Sequence, residues 1–267
     1  MADATQSIGI FDSGIGGLTV VRQVRRLLPS EHLVYLGDTA RVPYGTKSAE
    51  TVTRFACEDA EFLAKHNIKA LVVACNSASA TALSELERRF SMPVFGVISP
   101  GAIAAIERTS TGRIGVIGTA ATIRSQAYHR AIVALRPDAQ VHARSCPLLV
   151  PLAEEGWQQH EVTRTILKEY LGPLLAQKID TLVLGCTHYP ILKQAIADTV
   201  GETVFLVDSA ESCAQFIRRE LERLRLLNEQ GRQGNLRLFF TDTVPKFSEL
   251  GVQFLGEPAE AEQVSLL

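Results

Sequence analysis

Short apolar runs alternate along the chain with longer segments whose apolar residues recur every three or four positions. In the first hundred residues the runs predict β-strands at 8–12 (IGIFD), 33–38 (LVYLGD), 70–74 (ALVVA) and 93–98 (PVFGVI), the last closed by the loop SPGA. The helical spacing predicts helices between them, at 18–28, 50–67 and 77–90. This alternation predicts an α/β fold with mostly parallel sheets and right-handed crossovers.

The same order then repeats. Strands are predicted at 113–118, 141–146, 181–185 and 203–208, with helices at 119–135, at 160–176 and from 191 onward. Residues at matching positions are offset by 106, 111 and 110 in the pairs Ile8 and Ile114, Cys75 and Cys186, and Val94 and Val204. Offsets this constant predict an internal duplication, two α/β units with the same strand order.

The segment after Asp208 belongs to neither repeat. It reads as a helix (211–227), a polar loop (228–235), a strand (236–241) and a short helix (245–254). The pattern leaves open which unit these elements pack on.

Composition narrows the class of protein. The 267 residues are 46% hydrophobic and 21% charged, with a net charge of −2, so neither nucleic acid nor a membrane is expected as the main partner. The N-terminus lacks a signal-peptide pattern, and no apolar run approaches the ~20 residues of a membrane-spanning helix. Five cysteines without CxxC spacing indicate a reducing compartment. These features predict a soluble, cytoplasmic protein of about two domains.

Candidate chemistry follows the predicted strand ends, where open α/β sheets bind ligands. The residues found there are Asp12 and Ser13, Pro43 to Gly45, Cys75 to Ser77, Thr119, Glu154, Cys186 to His188, and Asp208 and Ser209. Thiols, hydroxyls and carboxylates dominate this set, and the capping polar groups suit a small carboxylate substrate.

The two strand-end cysteines suggest a specific reaction. Each precedes a predicted helix, whose N-terminus is expected to lower the thiol pKa. Two thiols across one cleft suit the inversion of a carbon centre, which needs a base on one face and an acid on the other. Asp12, His188 and Glu154 are candidates to relay protons, and the spacing leaves open which of them serves which thiol.

Other interpretations of these residues carry less weight. Cys57, Cys146 and Cys213 are expected to be packing residues. A zinc site or another metal site is not expected, because no CxxC or HxxxH accompanies Cys-Thr-His. SGIGG (13–17) is not a dinucleotide loop, since the third glycine would fall at Thr19. Its glycines either leave room for a substrate or make a tight turn.

Taken together, the motifs resemble the glutamate racemases of the aspartate/glutamate racemase superfamily. The resemblance rests on GIFDSGIGGLTV (9–20), YLGDTARVPYG (35–45), VVACNSASA (72–80), GVISPGA (96–102), VIGTAATIRS (116–125), CPLLVPLAEEG (146–156), LVLGCTHYP (182–190) and VDSA (207–210). It implies two pseudosymmetric α/β domains facing each other across a central cleft. The first would comprise 1–98 plus 208–267, with the C-terminal helices returning to it, and the second 99–207.

The resemblance also implies an activity, namely cofactor-independent interconversion of L- and D-glutamate for peptidoglycan synthesis. It implies Cys75 as the base toward the D-isomer and Cys186 toward the L-isomer, assisted by Asp12, Glu154 and His188. The implied substrate contacts are Asp12, Ser13, Pro43, Tyr44, Gly45, Asn76, Ser77, Thr119, Thr122, Thr187 and His188. A homodimer is a further implication. Regulation by a cell-wall precursor is not expected, because the chain begins close before its first strand.

Three alternatives stay open at this point. An aspartate racemase or related thiol racemase would differ in pocket depth. A two-domain binding protein for a small acid would have no use for paired thiols. A cysteine hydrolase would need one nucleophile and a covalent acyl intermediate.

Overall fold

The computed structural model describes residues 3–244 and 246–266, which form two parallel β-sheets covered by helices. The strands are β1 (Ser7–Asp12), β2 (Leu33–Gly37), β3 (Ile68–Val73), β4 (Val94–Gly96), β5 (Arg113–Gly118), β6 (Gln140–Ser145), β7 (Thr181–Gly185), β8 (Phe205–Asp208), β9 (Leu236–Phe240) and β10 (Glu262–Gln263). The α-helices are α1 (Leu18–Leu27), α2 (Ala49–Ala64), α3 (Asn76–Arg89), α4 (Ile98–Arg108), α5 (Ala120–Arg124), α6 (Ala127–Leu135), α7 (Leu149–Glu154), α8 (Glu161–Leu175), α9 (Lys193–Val200), α10 (Ser209–Leu224) and α11 (Phe247–Leu255).

The strand order confirms the predicted fold class and the duplicated pattern. The first sheet has the order β10-β9-β2-β1-β3-β4 and the second β6-β5-β7-β8, and every described strand pair is parallel. Within the first sheet, β2-β1-β3-β4 repeats the order of the whole second sheet. Parallel pairing brings all carboxyl ends to one edge of each sheet, so the residues after these strands lie together.

The central strands of both sheets are buried on two faces, which explains why they read as continuous apolar runs. Successive side chains of β1 point in opposite directions, so Ile10 joins the core beneath α1 and Phe11 the core beneath α2 and α3. The core containing Ile10 continues to Leu182 and Leu184 of the second sheet. The core that contains Ile10 therefore spans both sheets, and the core that contains Phe11 is separate from it.

Some predicted elements were wrong in extent or type. SPGA is the first part of α4 rather than a closing loop, because a proline in the first turn has no helical partner to lose. The predicted helix over 119–135 is two helices, broken at Gln126, whose φ of 54° is left-handed. Helix α7 was not predicted at all.

The helix predicted from residue 191 begins two residues later, at Lys193. A short 3₁₀ turn, Tyr189–Leu192, comes first, and α9 starts only at Lys193. Cys186 therefore does not sit at an α-helix N-terminus, whereas Cys75 directly precedes α3. The two thiols share a strand-end position but differ in the type of helix that comes after them.

The C-terminal elements, which the pattern left unassigned, extend the first sheet. β9 pairs with β2, β10 pairs with β9, and α11 packs on α1. We accordingly propose the domain division 1–98 plus 208–267 and 99–207. Four residues of this division, 1, 2, 245 and 267, lie outside the described residues. Residue 245 is also the first residue of the helix predicted at 245–254. No described helix is long and apolar enough to cross a membrane.

Asp180 lies at the end of the second sheet opposite to the strand-end residues and holds the turn that leads into β5. Its carboxylate accepts hydrogen bonds from Thr109 Oγ1 (2.6 Å), Ser110 N (2.9 Å) and Thr111 N (2.7 Å). Partial burial alone would raise the pKa of Asp180, but hydrogen bonds from Thr109, Thr111 and Ser110 outweigh it and hold the pKa well below its usual value.

We therefore expect Asp180→Asn to lower the free energy of unfolding by about 2 kcal/mol at pH 7. Because the folded-state pKa is depressed, the contribution is fully present above the unfolded pKa of about 4 and is lost as the pH falls further. Urea denaturation between pH 2 and 7 measures this, with exposed Asp138→Asn as the control, which removes only a surface ion pair with Arg136 and should change stability little. Equal midpoints for Asp180→Asn and the unchanged protein at pH 7 would contradict the prediction.

Candidate active site

The first half of the site lies where β1 and β3 end. The two strands pair in register at Phe11 and Val73, and the Ala74 N–H donates to the Phe11 carbonyl at 2.9 Å. Asp12 and Cys75 follow directly and are both buried. The Cys75 thiol lies 3.6 Å from the Ser13 hydroxyl, so the predicted residues Asp12, Ser13 and Cys75 form one group.

The prediction that a helix N-terminus lowers the pKa of Cys75 is wrong. Burial and the negative charge of Asp12 raise the pKa of this thiol to about 12, although the backbone N–H of Ala78 in α3 opposes them. Desolvation outweighs the helix because the sulfur has almost no water around it. Cys75 is therefore a neutral thiol at pH 7 and holds a proton that it can donate.

The second half of the site is a chain of three side chains that begins at Cys186. The Cys186 sulfur lies 3.9 Å from His188 Nδ1, and His188 Nε2 lies 2.8 Å from Glu154 Oε1. Burial alone would lower the pKa of His188, but its hydrogen bonds with Cys186 and Glu154 outweigh this and raise the pKa to about 10. The buried ring is thus an imidazolium at neutral pH, and its carboxylate partner is 40% exposed.

Thr187 joins the two halves. Its hydroxyl donates to Asp12 Oδ1 at 3.3 Å, and its carbonyl accepts a hydrogen bond from the Thr19 hydroxyl at 2.9 Å. Burial raises the pKa of Asp12, and the positive charge of His188 opposes that shift. The carboxylate on one side and the imidazolium on the other are therefore electrostatically linked.

The glycines of SGIGG allow this close approach. A Cβ atom at Gly16 would lie 2.4 Å from His188 Nδ1, and one at Gly17 would lie 2.4 Å from Asp12 Cβ. The sequence left a choice between room for substrate and a tight turn. In the structure these glycines instead let the loop pack directly against the site's own side chains.

Three hydroxyls form a second link between the sheets. Ser77 Oγ lies 2.8 Å from Thr119 Oγ1 and 3.3 Å from Thr122 Oγ1, and the two threonine hydroxyls lie 3.1 Å apart. Gly45 approaches the same group, since a Cβ there would lie 2.6 Å from Thr119 Cβ. Residues from both repeats therefore converge. Ser77 and Thr119 follow predicted strands, whereas the expectation for Thr122 came only from the family resemblance.

The Tyr44 side chain points away from this group. Its hydroxyl donates to Asp38 and lies 2.9 Å from Asp59 Oδ2, and both carboxyl groups are buried. The Tyr44 side chain therefore anchors the segment from Pro43 to Gly45. This segment can contact a ligand through its backbone and through the Pro43 side chain. The local pattern does not predict this, because Asp59 comes from α2.

Sequence reasoning missed several residues that support the site. Tyr35 donates its hydroxyl to the Gly14 carbonyl at 2.6 Å, and Thr19 holds Thr187. A polar residue on an otherwise apolar helix face was the available signal for Thr19. Among residues 3–244 and 246–266, no group of three or more His, Cys, Asp or Glu side chains is arranged to hold a metal ion.

Comparison with known proteins agrees with this geometry. The family model described as Asp/Glu/Hydantoin racemase matches residues 16–217. A glutamate racemase of Geobacter metallireducens is 53% identical over 98% of this chain and 97% of its own. Among solved structures, a glutamate racemase isoform of Bacillus anthracis is 41% identical with a TM-score of 0.94 and covers 98% of both chains.

A glutamate racemase of Francisella tularensis, solved in complex with D-glutamate, is 38% identical, has a TM-score of 0.92 and likewise covers 98% of both chains. The chain therefore belongs to the Asp/Glu/hydantoin racemase family and, within it, to the glutamate racemases, which are isomerases.

Proposed function

We propose that the protein interconverts L- and D-glutamate by two-base proton transfer between Cys75, Cys186 and the α-carbon. The observation that carries this proposal is the pair of buried thiols at equivalent strand ends, flanked by groups of opposite charge. A base and an acid must act on opposite faces of the inverted carbon, and two thiols from two repeats suit that need.

In the L-to-D direction, Cys186 acts as a thiolate and removes the α-proton, and the C–H electron pair stays on carbon. Cys75 then donates its S–H proton to the opposite face, which leaves Cys75 as thiolate and Cys186 as thiol. The D-to-L direction reverses these roles. The imidazolium of His188 places a positive charge beside Cys186, and such a charge acts strongly where water is excluded.

The assisting groups are proposed to move protons without a cofactor. Glu154 is partly exposed and bonded to His188, so it links the buried site to solvent. Asp12 faces Cys75 and is tied to Thr187. The proposed contacts with the substrate are Asp12, Ser13, Pro43, Tyr44, Gly45, Asn76, Ser77, Thr119, Thr122, Thr187 and His188. Tyr44 contributes its backbone alone, because its hydroxyl is bonded to Asp38 and Asp59.

The wider role proposed is supply of D-glutamate for peptidoglycan synthesis in the cytoplasm, with the protein acting as a homodimer. All five cysteines lie within the described residues and are free thiols, which supports a reducing compartment. Aspartate is the competing substrate, and a methylene group in a pocket distinguishes substrates by about 10- to 200-fold.

Replacing either strand-end thiol should stop turnover. We expect Cys75→Ser and Cys186→Ser to lower kcat for glutamate racemisation by about 1,000-fold, because a serine hydroxyl is a poor base at neutral pH. Circular dichroism measures the loss of L-glutamate, with L-aspartate assayed beside it. Cys57→Ser is the control that should leave turnover unchanged. Full activity in either strand-end variant would contradict the two-thiol mechanism. A faster reaction with aspartate would identify aspartate, and not glutamate, as the substrate.

Removing the Glu154 carboxylate should lower the pKa of His188 and so destabilise its imidazolium form. We expect Glu154→Gln to lower kcat by about 10-fold at pH 7. The raised pKa of His188 keeps its ring protonated up to about pH 10 in the unchanged protein. In the variant the ring should lose its proton, and the enzyme its activity, at a lower pH than in the unchanged protein. A kcat profile from pH 7 to 10.5 measures this shift, with exposed Glu155→Gln as the adjacent control. Superimposable profiles for the two variants would exclude Glu154 from this role.

A further inference from the structure

Tyr128 is a buried residue of α6 whose hydroxyl reaches the other repeat. It donates a hydrogen bond to Asn76 Oδ1 at 2.8 Å, and Asn76 directly follows Cys75 at the start of α3. Tyr128 is 3% exposed and Asn76 is 2% exposed. Burial raises the pKa of the Tyr128 phenol well above its usual value, so the hydroxyl keeps its proton and acts as the donor.

The opposite end of the Asn76 amide has no partner. Its Nδ2 atom is buried and makes no hydrogen bond within the described part of the chain. A buried donor without an acceptor is costly, so such a group indicates a missing partner. Because the tyrosine hydroxyl occupies the amide oxygen, the nitrogen is the end left for that partner, and an N–H donor suits a carboxylate.

The amide would not hold this orientation by itself. Rotation about the last side-chain bond exchanges oxygen and nitrogen almost without a change of shape. In the exchanged state an amide oxygen would face the carboxylate and repel it. Any protein molecule in that state cannot bind the substrate well, and this lowers the apparent affinity in proportion to its population.

The ring of Tyr128 contacts the segment that carries the second thiol. A Cβ atom at Gly185, the residue before Cys186, would lie 3.0 Å from Tyr128 Cε2. A Cβ atom at Gly101 would lie 3.0 Å from Tyr128 Cε1. One side chain is thus wedged between two glycines and reaches the neighbours of both Cys75 and Cys186.

We propose that Tyr128 is a positioning residue for glutamate binding, whose hydroxyl fixes the Asn76 amide with its nitrogen turned toward a substrate carboxylate. This rests on the proposed glutamate racemisation. Tyr128 itself does not touch the reacting atoms. It acts through Asn76, and its effect should appear in substrate affinity rather than in the chemical step.

The direct test is Tyr128→Phe, which keeps the ring between Gly101 and Gly185 and removes only the hydroxyl. We expect KM for glutamate to rise about 5- to 10-fold, the factor that corresponds to one net hydrogen bond, while kcat stays nearly unchanged. L- and D-glutamate have equal free energies, so kcat/KM must fall equally in both directions. The separation of KM from kcat is therefore the informative readout.

Tyr189→Phe is the matched control. Tyr189 is also fully buried, and its hydroxyl donates to the Cys146 carbonyl at 2.8 Å. This variant should lose a similar amount of thermal stability and keep KM unchanged. An equal KM in the Tyr128→Phe and Tyr189→Phe proteins would overturn the proposal while leaving glutamate racemisation intact.

A double-mutant cycle with Asn76→Ala tests whether Tyr128 acts through the amide. If it does, adding Tyr128→Phe to Asn76→Ala should raise KM no further. Independent, multiplicative increases in KM would show that Tyr128 acts by another route and would overturn the assignment. Absence of glutamate turnover in the unchanged protein would instead refute the proposed function.

Discussion

Parallel pairing of buried strands is the constraint on which the whole site depends. The β1–β3 register aligns Phe11 with Val73, so Ser13 and Cys75 follow side by side just after Asp12. The β5–β7 register aligns Gly118 with Gly185, so Thr119 and Cys186 follow side by side. Neither pair is close in sequence. Each becomes close because parallel strands end at a common edge, and the duplicated strand order supplies that edge twice.

The duplicated frame carries two chemically different thiol settings. Cys75 has Asp12 and deep burial beside it, and both keep it protonated. Cys186 has His188, whose positive charge is maintained by Glu154. Thr187 connects these settings because its hydroxyl donates a hydrogen bond to Asp12 and its neighbour in the chain is His188. The charges of Asp12 and His188 interact, so a change of charge at one thiol alters the electrostatic environment of the other. A reaction that moves one proton from one side of a carbon to the other needs such linked, opposite settings.

Much of this could be predicted from sequence because the governing forces leave local patterns. Buried parallel strands are apolar runs, and the residues after them are the candidate site. Helix α4 escaped prediction because Pro100 and Gly101 read as a loop, although Gly101 is the place where the Tyr128 ring packs. The predicted direction of the Cys75 pKa shift was wrong because the burial of a side chain, unlike the start of a helix, leaves no local pattern in the sequence. Tyr128 and Asn76 are 52 residues apart, and nothing in the pattern of α6 points to the amide.

The most direct test of the two-thiol account is the fate of solvent deuterium during early turnover of L-glutamate in D₂O. The measurement is the deuterium content at Cα of each isomer, separated after a small fraction has reacted. With a separate acid on the opposite face, D-glutamate should carry deuterium from the first turnover while unreacted L-glutamate retains hydrogen. Deuterium entering the remaining L-glutamate as fast as the product would mean that one group serves both faces, and would contradict the account.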